Sequence, residues 1–218
     1  MRTAGRACGS PATEVLAGDN MVADSRSGGL AAVVTDIQTA RLILHPVDVV
    51  EARRIRDRNP STQDLWAVDY PFDGDLRALG AFVAATERYG EQRPFGYYQV
   101  IRRADGQAIG GVGFKGPPGD DGAVEVGYGL ASSARGHGYA TEALAALLAA
   151  AARLGATTVR ADTARDNEAS RRTLERAGFR RVAADADLLY YELQVTQSGA
   201  ALSPSATCSS SERRSPAT

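Results

Sequence analysis

From Thr39 onward, Leu42 and Leu44 alternate with Arg41 and Ile43 before Pro46, which is the period of a short strand. Asp48 is placed to cap a helix running to about Arg58. Asp73 or Asp75 is placed to cap a second, in which Leu76, Leu79 and Val83 recur at helical spacing up to Gly90. Two strand-like runs follow, GYYQVIRR and QAIGGVGFKG, and the Asp-Gly pair in Ala104-Asp105-Gly106 between them signals a hairpin. Gly116 to Gly122 reads as a loop, and AVEVGYGLA continues the meander as a third antiparallel strand.

The clearest helix runs from Tyr139 to Leu154. Ala140, Leu144, Leu147, Leu148, Ala151 and Leu154 fall on one face, and Gly155 stops the run. TTVRADT then reads as a strand and Asn167 to Ala177 as a helix closed by Gly178. FRRVAAD and LLYYELQV are two further strands around Ala184 to Asp187. A meander followed by strand-helix-strand units predicts an α+β (mixed α/β) fold with helices covering a sheet, not a doubly wound one. Residues 1 to 36 and 197 to 218 lack either periodicity and read as disordered tails around a domain spanning 37 to 196.

Composition narrows the function. A chain of 218 residues, 44% hydrophobic, is enough for one well-buried domain. Its net charge of -1 supplies no field for nucleic acid or a membrane surface, so any anion site must be local. Cys8 and Cys208 sit in opposite tails and the only histidines are His45 and His137, which argues against a metal centre, a disulfide framework or a Cys-His nucleophile. The N-terminus has no signal-like apolar core, and no run approaches the ~18 apolar residues of a membrane span, so a cytoplasmic location is expected.

The chemistry concentrates in the loop Arg135-Gly136-His137-Gly138-Tyr139-Ala140, between a strand and the clearest helix. A helix N-terminus offers four backbone N–H groups without internal partners at the positive end of the dipole, and two glycines let a phosphate approach the main chain. A pyrophosphate suits that geometry. Neither a Walker-type loop nor a Rossmann fingerprint is written at this place.

This R-x-x-G-x-A loop after a strand resembles the coenzyme A-binding signature of the GNAT acetyltransferase superfamily. RDNEASRRTLERAGF, with Asn167, Ser170 and Gly178-Phe179, resembles its second signature, and T-A-R-L-I-L-H-P resembles the opening of the subgroup that includes ribosomal-protein N-terminal acetyltransferases. The likeness covers about Thr39 to Leu193. It implies a mostly antiparallel, splayed sheet flanked by about four helices, acetyl-CoA as co-substrate, and direct attack of an amine on the thioester in a ternary complex. It further implies that main-chain groups near Tyr128 and Leu130 pair with the pantetheine, that Arg135, Gly136, His137, Gly138, Tyr139 and Ala140 hold the pyrophosphate, and that Asn167 bonds the pantetheine arm. Such likeness is compatible with a monomer or a homodimer.

Amine attack requires a base, for which Glu125 is the candidate; an exposed glutamate on the strand's polar face is the competing reading. Leu174 stands where many superfamily members carry a tyrosine that protonates the departing thiolate, leaving Ser170, Tyr128, Tyr190 and Tyr191 as possible substitutes. Asn167 also suits plain N-capping, and Arg171 and Arg172 either reach a 3'-phosphate or form a solvated face. Trp66, Asp69, Tyr70, Phe72, Asp73 and Asp75 form either an acidic acceptor cleft or a loop anchored in the core. The acceptor is a protein N-terminal amine or a small amine; a coenzyme A-binding sensor or scaffold without turnover is the alternative.

Overall fold

The computed structural model describes residues 34 to 196, so the predicted tails, with Cys8 and Cys208, lie outside the described residues apart from the short segment 34 to 36. The elements in order are β1 (Ile37–Gln38), β2 (Leu42–Pro46), α1 (Val49–Arg56), α2 (Asp73–Tyr89), β3 (Tyr97–Arg102), β4 (Ala108–Phe114), β5 (Ala123–Leu130), α3 (Tyr139–Arg153), β6 (Thr158–Ala164), α4 (Glu168–Arg176), β7 (Arg180–Ala184) and β8 (Leu188–Gln194). They form one eight-stranded sheet ordered β1-β2-β3-β4-β5-β6-β8-β7, antiparallel except where β5 meets β6. The mixed α/β class and the four helices match the expectation.

Capping chemistry sets the first helix boundary as predicted. Asp48 accepts from the backbone N–H of Val50 and Glu51, while Glu51 accepts from that of Asp48, a reciprocal capping box. The second helix departs from the expectation: it begins at Asp73 with Phe72 as N-cap, so neither acid is the N-cap residue. Asp75, in the third position, accepts from the Phe72 N–H through Oδ2 at 3.3 Å. Burial of Leu79, Phe82 and Val83 fixes which face turns inward, and with it the place of Asp75.

The sheet is split in its middle. β5 pairs with β6 only over Ala123↔Thr158, Val124↔Val159 and Glu125↔Arg160, whereas β4 follows β5 to Leu130 and β8 follows β6 to Ala164. Beyond Glu125 the two strands diverge. β5 is divided between two faces, as the period of two requires. Gly127 and Gly129, opposite Gly113 and Gly111, lie on the face covered by α2, and Tyr128 turns to α4 on the other. The core runs through both layers, from Leu42, Leu44 and Ile109 to Leu144, Leu147, Val159 and Leu174.

Candidate functional site

Gly136 and Gly138 both adopt left-handed backbone, at φ 82° and 79°, and Gly138 is the N-cap of α3. A side chain at either position would be strained, so glycine is required for the turn that aims the first N–H groups of α3 outward. The loop is braced from β2's flank. Arg41 donates to the His137 carbonyl at 2.9 Å and to Glu142 at 2.7 Å, and its guanidinium lies 4.7 Å from the Tyr139 ring centre. Thr39 donates to the same Glu142 carboxylate. Arg135 turns back, donating from Nε to the Leu130 carbonyl at 3.0 Å. The His137 ring is exposed and stacks on Tyr139.

The divergence leaves an edge of main chain. Because the Lys115 N–H donates to the Glu125 carbonyl, alternation along β5 turns the N–H and C=O of Val126, Tyr128 and Leu130 toward the side that β6 has left. Opposite, the Tyr128 hydroxyl reaches α4, donating to the Ser170 carbonyl at 3.1 Å and lying 2.9 Å from Ser170 Oγ. Burial is the main cause that pushes this phenol up to about 12. Asn167 caps α4, its Oδ1 accepting from the Ser170 N–H at 3.1 Å.

A cleft of about 610 Å³ runs from this split along the α2 face of the sheet. Its walls are small: Gly74, Ala78, Ala81 and Ala85 on α2, and Gly111, Gly113, Gly127 and Gly129 on β4 and β5. Two of these glycines leave room for aromatic neighbours. A Cβ on Gly111 would overlap the Tyr97 hydroxyl, and one on Gly129 would lie 2.5 Å from the Phe72 ring. The result is a trough in which the Tyr97 and Phe72 rings pack directly on glycine main chain.

Both ends of the trough carry carboxylates. At the closed end, Asp75 is 3% exposed and accepts the Tyr97 O–H at 2.9 Å, while Gln99 donates to the neighbouring Tyr70 hydroxyl at 3.1 Å. Burial outweighs the Tyr97 and Phe72 donors and raises the Asp75 carboxyl to about 7. At the open end, the Lys115 ammonium contacts Glu125 and donates to Asp162 at 2.6 Å. Burial would lift the Asp162 carboxyl, but its contacts with Glu125 and Lys115 hold it below the usual range.

The sequence-predicted residues therefore fall into groups. The loop 135 to 140, Tyr128, Leu130, Asn167 and Ser170 converge on the split; Glu125 stands at the rim as an exposed ion-pair partner. Tyr190 is engaged by Asp185 at 2.6 Å and Tyr191 is buried, so Tyr128 and Ser170 are the two of the four substitutes that border the cleft. Arg172 pairs with Glu168 along α4. The acidic aromatic cluster divides: Asp69 ties its loop to Ser133, Trp66 and Tyr70 pack edge to face, and Phe72 and Asp75 line the cleft. Sequence reasoning missed Tyr97, Asp162 and the roles of Lys115 and Arg41. Their contacts join residues tens of positions apart, and no local pattern announces them.

A sequence profile described as the acetyltransferase (GNAT) domain matches residues 41–180. The chain belongs to the GNAT acetyltransferase family. This GNAT chain is 28% identical over 154 residues to the uncharacterized N-acetyltransferase YjdG of Bacillus subtilis (strain 168), covering 66% of this chain and 88% of that protein. Among solved structures, the acetyltransferase from Agrobacterium tumefaciens str. C58 aligns with a TM-score of 0.51 at 24% identity, over 76% of this chain and 98% of that one. The ribosomal L7/L12 alpha-N-protein acetyltransferase RimL, solved in complex with coenzyme A, aligns at 0.55 with 18% identity, over 75% and 99%. At these identities the two structures show the GNAT fold. Family membership carries the general chemistry, transfer of an acetyl group from acetyl-CoA.

Proposed function

We propose that the protein is an N-acetyltransferase that moves the acetyl group of acetyl-CoA directly to a primary amine, either a protein N-terminus or a small amine. The observation that carries the reading is the split between β5 and β6, which opens at the glycine-capped N-terminus of α3. The outward N–H groups of α3 and the left-handed glycines suit a diphosphate, and the main-chain edge of Val126, Tyr128 and Leu130 suits an extended amide-bearing arm. Because Arg135 occupies the Leu130 carbonyl, the N–H of Leu130 and both polar groups of Tyr128 are the backbone contacts assigned to that arm. Asn167 Nδ2, opposite its capping oxygen, is a further donor for it.

The thioester supplies an activated acyl carbon; the chain's residues orient, shield and move protons. Backbone N–H groups facing the split polarise the carbonyl, worth a few kcal/mol (~3) where water is excluded. The Tyr128 hydroxyl, with Ser170 Oγ beside it, returns a proton to the leaving sulfur, because Leu174 is buried and has none to give. A carboxylate bordering the trough takes the proton from the incoming ammonium, Glu125 at the rim being the sequence-based candidate. A protein N-terminus is the acceptor that the name of RimL gives for that protein, whose fold this chain shares.

Two measurements test this. Coenzyme A should bind the wild type and fail to bind Gly138→Glu, where a strained backbone and a negative charge oppose the diphosphate. An amine panel that includes peptides with varied N-terminal residues, followed by free-thiol release, should show acetylation. Binding without turnover on any amine would leave a coenzyme A sensor or scaffold instead.

A further inference from the structure

We propose that Asp75, fixed by Tyr97 at the closed end of the trough, binds the ammonium of the acceptor and takes its proton. The inference rests on the transferase reading and names the group that carries its first step.

Asp75 lines the cleft although it is nearly buried. Its donors are the Tyr97 hydroxyl on Oδ1 and the Phe72 N–H on Oδ2, and no arginine or lysine among the described residues forms an ion pair with it. A buried carboxylate held by two donors without a counter-charge has two ways to lower its energy: bind a proton or bind a cation. Asp75 lines the same cleft as the β4 and β5 main chain that borders the split, so an acceptor seated in that cleft reaches it.

The groups facing Asp75 leave that role open. From β3 come Tyr97 and, further in, Gln99; from the preceding loop comes Tyr70, whose phenol burial drives far above its ordinary value. β4 and β5 present glycine. On α2 itself the nearest charges are Asp73 and Arg77, both exposed; Arg77 also borders the cleft but forms no ion pair with Asp75. The carboxyl is raised to about 7 by burial, so it is basic enough at neutral pH to accept a proton and acidic enough to release it. Glu125 and Asp162 differ, because Lys115 already supplies their counter-charge.

The step balances as follows. The ammonium gives one proton to the Asp75 carboxylate; the neutral amine forms the C–N bond to the thioester carbonyl carbon. The C–S bond breaks, the nitrogen's surplus proton reaches the sulfur through the Tyr128 and Ser170 hydroxyls, and Asp75 returns its proton to solvent.

The test is the pH dependence of kcat/KM for the full chain with an acceptor from the amine panel, with wild type, Asp75→Asn, Tyr97→Phe and Glu125→Gln compared. The acceptor's own ionisation enters all four profiles alike, so differences belong to the enzyme. Asp75→Asn should lower kcat about 100-fold or more and lose the enzyme's ascending limb, with coenzyme A affinity kept. Tyr97→Phe removes a donor to the ionised carboxylate and should move that limb to higher pH; it carries the test alone if Asp75→Asn fails to fold. An active wild type matched by Asp75→Asn, or a limb unmoved in Tyr97→Phe and lost in Glu125→Gln, overturns this inference only. A wild type that binds coenzyme A but acetylates no amine overturns both readings.

Discussion

The two ends of the trough hold the same functional group in opposite surroundings. Asp75 is walled in by aromatic rings and glycine backbone, and its neighbours are neutral. Glu125 and Asp162 share one lysine, half exposed at a rim open to water. Protein acid-base chemistry depends on such contrasts: burial without a counter-charge moves a carboxyl toward neutral pH, whereas a neighbouring lysine supplies the counter-charge that a buried carboxyl lacks.

The largest expected effect that would break the contrast is on stability. A carboxyl raised to about 7 in the fold binds protons there that the unfolded chain has already lost, so stability falls as pH rises from about 4 to 7 and levels off above. The full change is on the order of 4 kcal/mol for a shift of that size. Urea unfolding at pH 5 and pH 8 should show about 2.7 kcal/mol of this change in the wild type, and Asp75→Asn should remove that part of the pH dependence. His45 acts in a neighbouring window. Contacts with Glu51 and Asp36 raise it to about 9, so its contribution is complete below 6.5 and lost as pH rises through 9. His45→Gln should flatten that upper slope alone, and partial exposure of the ring makes it the shallower of the two.

Next in size are glycine substitutions. Gly111→Ala forces a methyl group onto the Tyr97 hydroxyl and should cost about 1–3 kcal/mol by overpacking. Gly127→Ala, whose Cβ would meet nothing nearer than the Lys115 side chain at 3.9 Å, should change the melting midpoint by less than about 0.5 kcal/mol equivalent. Equal effects at the two sites would erase the distinction between a closed and an open end. The smallest effect belongs to the rim. Lys115→Met leaves two carboxylates without their cation; stability should change by under about 1 kcal/mol, while KM for a cationic acceptor falls a fewfold at low salt and recovers as salt screens the charge.

Much of the fold was legible because its signals are local. The α3 stripe, the Asp48 cap and the Asp-Gly hairpin each rest on signals within a few residues of one another, and all three form. The pairing order was not, since a strand's period says which face it buries but not which neighbour it joins; β8 slips between β6 and β7. The same limit divides the site. The 135 to 140 loop and the Asn167 cap lie on continuous segments and could be read directly. The Asp75–Tyr97 and Lys115–Asp162 pairs join residues 22 and 47 positions apart, which only the folded sheet brings together. Asp75 looked like a helix-capping residue because acids are common in first turns; its depth depends on which face of α2 the core takes.

Arg41 fastens three parts of the α3 mouth at once, the His137 carbonyl, the Glu142 carboxylate and the Tyr139 ring, from a segment that precedes the sheet's second strand. A nucleotide arriving there meets a socket already set, with little chain entropy left to lose. Association should then proceed as rigid docking, and backbone order parameters around Gly138 should be high before the guest arrives as well as after. Cutting the brace with Arg41→Ala should make the ligand do the ordering itself, and tighten the temperature dependence of its binding.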